Sequence, residues 1–259
     1  MSVTYKVMHI VTDKHIEFSN NNEIISSSEL INLLSDDNSI IPENTTLISG
    51  QGISKKQSKE ITETIENSQF KDNITYIDQN DNAIDKKYVH KYKDENVLIS
   101  EPYKTEKDTF ASSLLMGDSC AETSDHTTGQ HIQGMVLIEA ARQMFIGVTE
   151  TFFKPNKDIN YYYIFNDIKT TFTAFAFPIP VNIIYRIEEQ KISSSGNMDF
   201  KVSIDFYQNG TIVTTTEIEF SAYIATIAKR IEAKKAKHAI TSANHIINNY
   251  MNSNNLTAI

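Results

Sequence analysis

Cysteine is almost absent from this chain: of 259 residues, Cys120 is the single one. That excludes an intrachain disulfide and a cysteine-rich zinc site, and it fits a reducing interior. Long apolar runs are missing as well, since nowhere do about 18 apolar residues follow one another. The opening Met1-Ser2-Val3-Thr4-Tyr5-Lys6 carries no basic lead before an apolar stretch, so a soluble, cytoplasmic protein without a membrane partner is expected. Positive charge is in deficit, with 24 Lys and Arg against 33 Asp and Glu for a net −9. Nonspecific nucleic-acid binding over the whole surface is thereby disfavoured. What is present is ordinary: a hydrophobic share of 40% and a length that suits one large domain or two small ones.

Residues 1–80 read as a small α/β domain. Strands are expected at 3–10, 15–18, 45–49 and 73–78, with helices after the serines at 26–28 and over 54–67. Ser26 with Glu29, and Ser54 with Gln57, have capping-box spacing. Gly50-Gln51-Gly52 lacks the longer glycine signature and any following Gly-Lys-Ser/Thr, so it reads as a plain turn in preference to a phosphate loop. Residues 81–95 are polar and charged with almost no apolar periodicity, which predicts a linker.

The rest, 96–224, carries strand-like runs at 97–100 and 109–116, then an apolar helix from Gly134 to about Val148. After it the period switches to extended, with β-branched and aromatic runs at 160–165, 169–177, 181–189, 198–207 and 211–223. Turns fall at 193–196 and at Asn209-Gly210, a strong hairpin signal. Two strands, one long helix and five consecutive antiparallel strands imply an α+β hotdog fold, an antiparallel sheet wrapped around a central helix. From Ala225 to the end the pattern is helical again, with Lys229, Arg230, Lys234, Lys235 and Lys237 within three turns. This C-terminal basic helix is either a solvated face or a docking patch for an acidic partner.

The central helix carries one polar spot. Glu139, Arg142 and Gln143 share a face at helical spacing, and a buried carboxylate is costly unless paired or used. Upstream lie Asp125, His126 and His131. The bland alternatives are a buried ion pair with Gln143 satisfying leftover bonds, and histidines that serve as caps or turn residues. The spacing matches no metal signature, so no metal is expected, and Cys120 reads as a small buried hydrophobe before it reads as a nucleophile.

The stretch Asp125-His126-Thr127-Thr128-Gly129-Gln130-His131-Ile132-Gln133-Gly134-Met135-Val136-Leu137-Ile138-Glu139-Ala140-Ala141-Arg142-Gln143 resembles the signature of the A-factor biosynthesis (AfsA-like) hotdog family. That pattern is Asp-His, a short gap, then His-Val-Pro-Gly-Met-Leu/Val-Leu-Leu-Glu-Ala-Ala-Arg-Gln. Glu95-Asn96-Val97-Leu98-Ile99-Ser100 also resembles the strand that opens the family's second repeat. A more distant likeness is to β-hydroxyacyl-carrier-protein dehydratases, which place a proline-bearing turn where Phe177-Pro178-Ile179-Pro180 stands. Three departures stand out: Gln133 replaces the family's proline, the gap between His126 and His131 is longer by one residue, and residues 1–80 hold no second copy of the helix motif.

The resemblance implies action on an acyl thioester, with transfer of a β-ketoacyl group from a carrier to a glycerol-type phosphate in signal or secondary-metabolite biosynthesis. A β-hydroxyacyl-thioester dehydratase, a thioesterase and a non-catalytic acyl-binding or scaffold protein are the alternatives. The expected catalytic residues are His126, His131 and Glu139. Gly134 and Met135 would bind the thioester carbonyl through backbone N–H groups and the positive end of the helix, with Arg142 and Gln143 at the substrate. Acyl carrier protein or acyl-CoA is the expected partner, presenting an acyl-phosphopantetheine substrate with no other cofactor. A small-molecule acceptor and a homodimer complete the expectation.

Overall fold

The computed structural model describes residues 6–79, 82–123, 129–156 and 158–253. The N-terminal unit follows from its caps and its alternation. It runs β1 (Lys6–Val11), α1 (Ile16–Ser19), β2 (Ile24–Ser26), α2 (Ser27–Ser35), β3 (Thr45–Ser49), α3 (Lys55–Asn67) and β4 (Ile74–Ile77). Both capping boxes form: Ser26 with Glu29 starts α2, and Ser54 with Gln57 starts α3. The four strands pair in parallel in the order β2-β1-β3-β4, as strands joined by helical crossovers do. One expectation fails here. Residues 15–18 are not a strand but the end of a 3-10 turn (Asp13–His15) followed by α1, because the Thr12 hydroxyl caps the Lys14 N–H and starts a helical turn.

The second unit runs β5 (Tyr103–Glu106), β6 (Thr109–Ser113), α4 (Gly134–Val148), β7 (Tyr161–Phe172), β8 (Asn182–Ile192), β9 (Met198–Gln208), β10 (Thr211–Ile224) and α5 (Ala225–Ser253). The sheet order is β5-β6-β8-β9-β10-β7, antiparallel throughout, and α4 lies in its concavity with Phe145 stacked on Phe220 at 4.2 Å. This is the hotdog architecture. The strand expected at 160–165 and the part of the one expected at 169–177 that reaches Phe172 are one strand, β7, and residues 173–177 lie outside it. Its pairing with β10 slips by one residue at Asn166, where Asp167 faces Glu219 but Phe165 faces Phe220; this bulge breaks the sequence alternation without breaking the strand. Residues 97–100 make only isolated bridges, Ile99 to Leu114 and Ala83 to Ser100.

The 81–95 segment does more than connect. It forms 3-10 turns at Lys86–Val89 and Asp94–Asn96, and it sends Ile84 and Val89 into the hotdog core. Both side chains pack within 3.5 Å of where a Cβ on Gly147 of α4 would stand. Two apolar residues in short turns leave no period to read.

The two units meet at Gly50-Gln51-Gly52. The Gly50 N–H donates to the Ile10 carbonyl, Gln51 N–H to Pro178, and Gly52 N–H to Met116. The Gln51 side chain bridges Leu114 and Met116 with two bonds of 2.8 Å. With all three amides engaged, the turn is a fastening between units. Among the described residues, no helix is long and apolar enough to cross a membrane.

Candidate active site

Helix α4 starts without a side-chain cap. Gln133 at the N-cap is extended, but its side chain makes no capping bond, so no N-cap side chain takes up an amide of the first turn, which begins at Gly134 and Met135. A Cβ on Gly134 would stand 2.7 Å from the Phe172 ring, so the glycine lets that ring lie close against the start of the helix. Phe172, Phe175 and Met135 are 52%, 67% and 64% exposed, so the helix start opens onto an apolar wall.

His131 lies just before this start, its ring 4.7 Å from that of Phe175. Its strand of chain is held by the Ile132 N–H, which donates to the Ala176 carbonyl at 2.7 Å. His131 also lines a cavity of about 10 Å³ with Lys14, His15, Met116, Asp118, Ile132 and Gln133. His15 is buried, and its Nδ1 has no hydrogen-bond partner among the described residues. Burial, with the nearby Lys14 and His131 charges adding to it, pushes the His15 imidazole down to about 4, so it is neutral near pH 7. The Thr12 hydroxyl donates to the Asp118 carboxylate and Lys14 Nζ to the Asp118 carbonyl at 2.6 Å. Burial pushes the Asp118 carboxyl up. Asp125 and His126 lie outside the described residues.

Two turns into α4, the polar spot is a closed network. Arg142 Nε and Nη2 donate to the two Glu139 oxygens at 2.7 and 2.8 Å, a bidentate pair. Lys91 Nζ reaches the same carboxylate at 2.8 Å, and Gln143 Nε2 donates to it at 3.1 Å. Gln143 is fully buried, and it also donates to the Asn96 carbonyl and accepts the Leu98 N–H, both at 2.8 Å. Lys91 bridges on to Glu122 at 3.1 Å. Desolvation works to raise the Glu139 carboxyl, but the bonds and charge of Arg142 and the bond from Lys91 outweigh it and hold it below the usual range. Glu139 is therefore ionised and its oxygens are occupied. Cys120 donates its thiol to Glu122 at 2.9 Å, and burial pushes it up to about 12, which removes it as a nucleophile near neutral pH.

The structure thus groups His131, Gly134 and Met135 at the helix start, and Glu139, Arg142 and Gln143 in the network below it. Sequence reasoning missed Lys91, in a stretch read as a linker, and His15, in a turn read as a strand. A buried His and a Lys between short 3-10 turns carry no periodic signal that could have flagged either.

The family model of the A-factor biosynthesis hotdog domain matches residues 73–223. Among solved structures, a mutant thioesterase from Pseudomonas aeruginosa is similar at 10% identity over 48% of this chain and 80% of that one, with a TM-score of 0.35. A putative thioesterase from Shewanella oneidensis is similar at 8% identity over 48% and 82%, with a TM-score of 0.36. No curated protein matches the sequence.

Proposed function

Because the chain belongs to the A-factor biosynthesis hotdog family, we propose that it transfers the acyl group of a carrier-borne thioester to a small hydroxylated acceptor. The observation that carries this reading is the uncapped start of α4, set beside His131 and opening onto the apolar wall of Met135, Phe172 and Phe175. The Gly134 and Met135 amides would polarise the thioester carbonyl, and the wall would hold the acyl chain. His131 would take the proton of the acceptor hydroxyl as its oxygen bonds to the carbonyl carbon; the carbon–sulfur bond then breaks, and the proton goes to the departing thiolate. Asp125 and His126 precede His131 in the sequence, and His126 shares the catalytic assignment.

Glu139 has a different role from the one its sequence position suggests. A dehydratase would need it protonated to release a hydroxyl, and Arg142 and Lys91 hold it ionised. We assign it, with Arg142 and Gln143, to positioning the upper turns of α4. The substrate arm is acyl-phosphopantetheine, on acyl carrier protein or on CoA, and no other cofactor takes part.

Intact-mass spectrometry of acyl-loaded carrier protein, with and without dihydroxyacetone phosphate, tests the reading. Unloading that depends on the acceptor is expected. Unloading without it would mean thioesterase, loss of water from a β-hydroxyacyl chain would mean dehydratase, and no mass change with any chain would leave a binding protein.

A further inference from the structure

The parallel strands of the N-terminal unit stand in the order β2-β1-β3-β4, so the chain order reverses between β1 and β3. In an open parallel sheet, the crevice beyond the carboxyl ends of the strands at such a reversal is where ligands bind. Here Thr12, Lys14 and His15 follow β1, and Gly50-Gln51-Gly52 follows β3. The hotdog unit sits against both. Gln51 bonds to Leu114 and Met116, its N–H donates to the Pro178 carbonyl, and the Thr12 hydroxyl donates to Asp118. The place where one unit would hold a ligand therefore meets the histidine segment of the other.

That segment is fastened on both sides of His131. The Phe18 N–H donates to the Gly129 carbonyl at 3.1 Å, and the Phe18 ring stacks on Phe177 at 5.6 Å. Beyond His131, the Ile132 N–H is bonded to Ala176. His15 and His131 line one cavity, and at about 10 Å³ it has room for a single water and for nothing larger. His15 is only 3% exposed, and its Nδ1 has no hydrogen-bond partner among the described residues. A buried ring nitrogen left without a partner is destabilising. On the same wall, Lys14 donates to the Asp118 carbonyl, and the Asp118 carboxylate accepts from Thr12. Burial keeps the His15 imidazole neutral near pH 7, so it offers a hydrogen-bond acceptor without a charge.

We propose that one water in this cavity donates to His15 Nδ1 and accepts an N–H of His131, which makes His15 a positioning residue that fixes the tautomer of His131. The bond made by one nitrogen of an imidazole decides which nitrogen carries the hydrogen. With its cavity-side nitrogen protonated, His131 keeps the other one bare for the acceptor hydroxyl. A neutral partner orients the ring without drawing the proton away from it. The N-terminal unit thus reaches into the site through the corner between β1 and α1. The effect on turnover rests on the acyl-transfer reading; the water-bridged pair does not.

Nitrogen-15 NMR of the full chain reads the His131 tautomer, with its signals assigned by their loss in His131→Gln. His15→Leu fills similar space and removes the unpartnered nitrogen, so it is expected to fold with at least wild-type stability while the His131 tautomer ratio shifts. His15→Asn keeps an acceptor and should return the wild-type ratio. In turnover of carrier-borne thioester, His15→Leu should lower kcat at least about tenfold, a part of what a positioned proton-transfer group contributes. KM should stay nearly constant, and His15→Asn should recover most of kcat. Unchanged His131 signals in folded His15→Leu, or a shift that His15→Asn does not reverse, overturns the bridge. A shifted tautomer with full turnover overturns the positioning role. Should His15→Leu not fold, the wild type decides alone: a magnetisation-transfer contact between a bound water and the His15 ring supports the bridge, and its absence overturns it. A tautomer shift in a protein that consumes no acyl thioester would keep the bridge and sink the acyl-transfer reading alone.

Discussion

Glu139 gives both carboxylate oxygens to Arg142 and receives further bonds from Lys91 and Gln143. Removing its charge leaves two cations facing a neutral amide in a half-buried setting. Glu139→Gln should therefore cost roughly 2–3 kcal/mol, below the figure for a fully buried pair because solvent screens part of the site. Urea unfolding measures this, with turnover falling only as far as the folded fraction does. Unchanged stability with a hundredfold or greater loss of turnover would return Glu139 to the catalytic set. Gln143→Leu tests the same network from the apolar side. It strands the Leu98 N–H and the Asn96 carbonyl, a loss on the order of 1–3 kcal/mol for each group, read from the same unfolding curves.

Acid should act on two groups in turn. His15 is depressed to about 4 from 6.5, so between those values the unfolded chain binds a proton that the folded chain refuses, and stability falls as pH drops through that window. Below it, Glu139, Glu122 and Glu150, all held below their usual range mainly by bonds that outweigh desolvation, lose stability as they become protonated. Thermal melts from pH 7 to pH 4.5 should show the first limb in the wild type and a shallower one in His15→Asn. An identical slope in the two proteins would mean that His15 titrates normally in the fold.

At the scale of elements, two glycines show how differently a close approach can be built. A Cβ on Gly134 meets the Phe172 ring, a side chain half exposed and free to swing, so Gly134→Ala should be tolerated by stability and felt at the helix start. A Cβ on Gly50 meets the backbone oxygens of Pro178 and Ile10, which cannot move without parting the two units. Gly50→Ala should cost roughly 1–3 kcal/mol and expose the seam to limited proteolysis, whereas an intact digestion pattern would show that the seam can flex. These positions also explain what the sequence disclosed. Capping boxes at Ser26 and Ser54 and the apolar helix at Gly134 are local codes, and they are where the structure places them. The division of β7 in two was an error of local reading, since one bulged residue at Asn166 inverts the alternation. Lys91 stands 48 positions before Glu139 and His15 lies far upstream of His131. Nothing near either residue in sequence records a contact made by tertiary folding, so the network and the cavity needed coordinates while the helix that carries the site did not.

Over the whole molecule, charge is divided unevenly. Residues 225–253 hold five Lys or Arg and a single acid, Glu232, within a chain of net −9. Helix α5 packs its first turns on β10 and β7, where Ala228 is buried and the Tyr162 hydroxyl donates to Glu232 at 3.4 Å. Residues 229–250 are all exposed, and 29 helical residues reach about 43 Å. At physiological salt, charges act over roughly 8 Å, so the acidic body scarcely offsets the cations along most of that reach. Deleting residues 238–259 should leave the melting temperature unchanged, because residues 238–250 are all exposed. Deleting from Lys229 onward should also spare the fold, yet it removes all five cations of α5. In the full chain the KM for carrier-borne substrate should then rise with added salt, and in the shorter protein it should start high and respond little. Equal salt dependence in the two would place the recognition of the carrier's phosphate elsewhere on the surface.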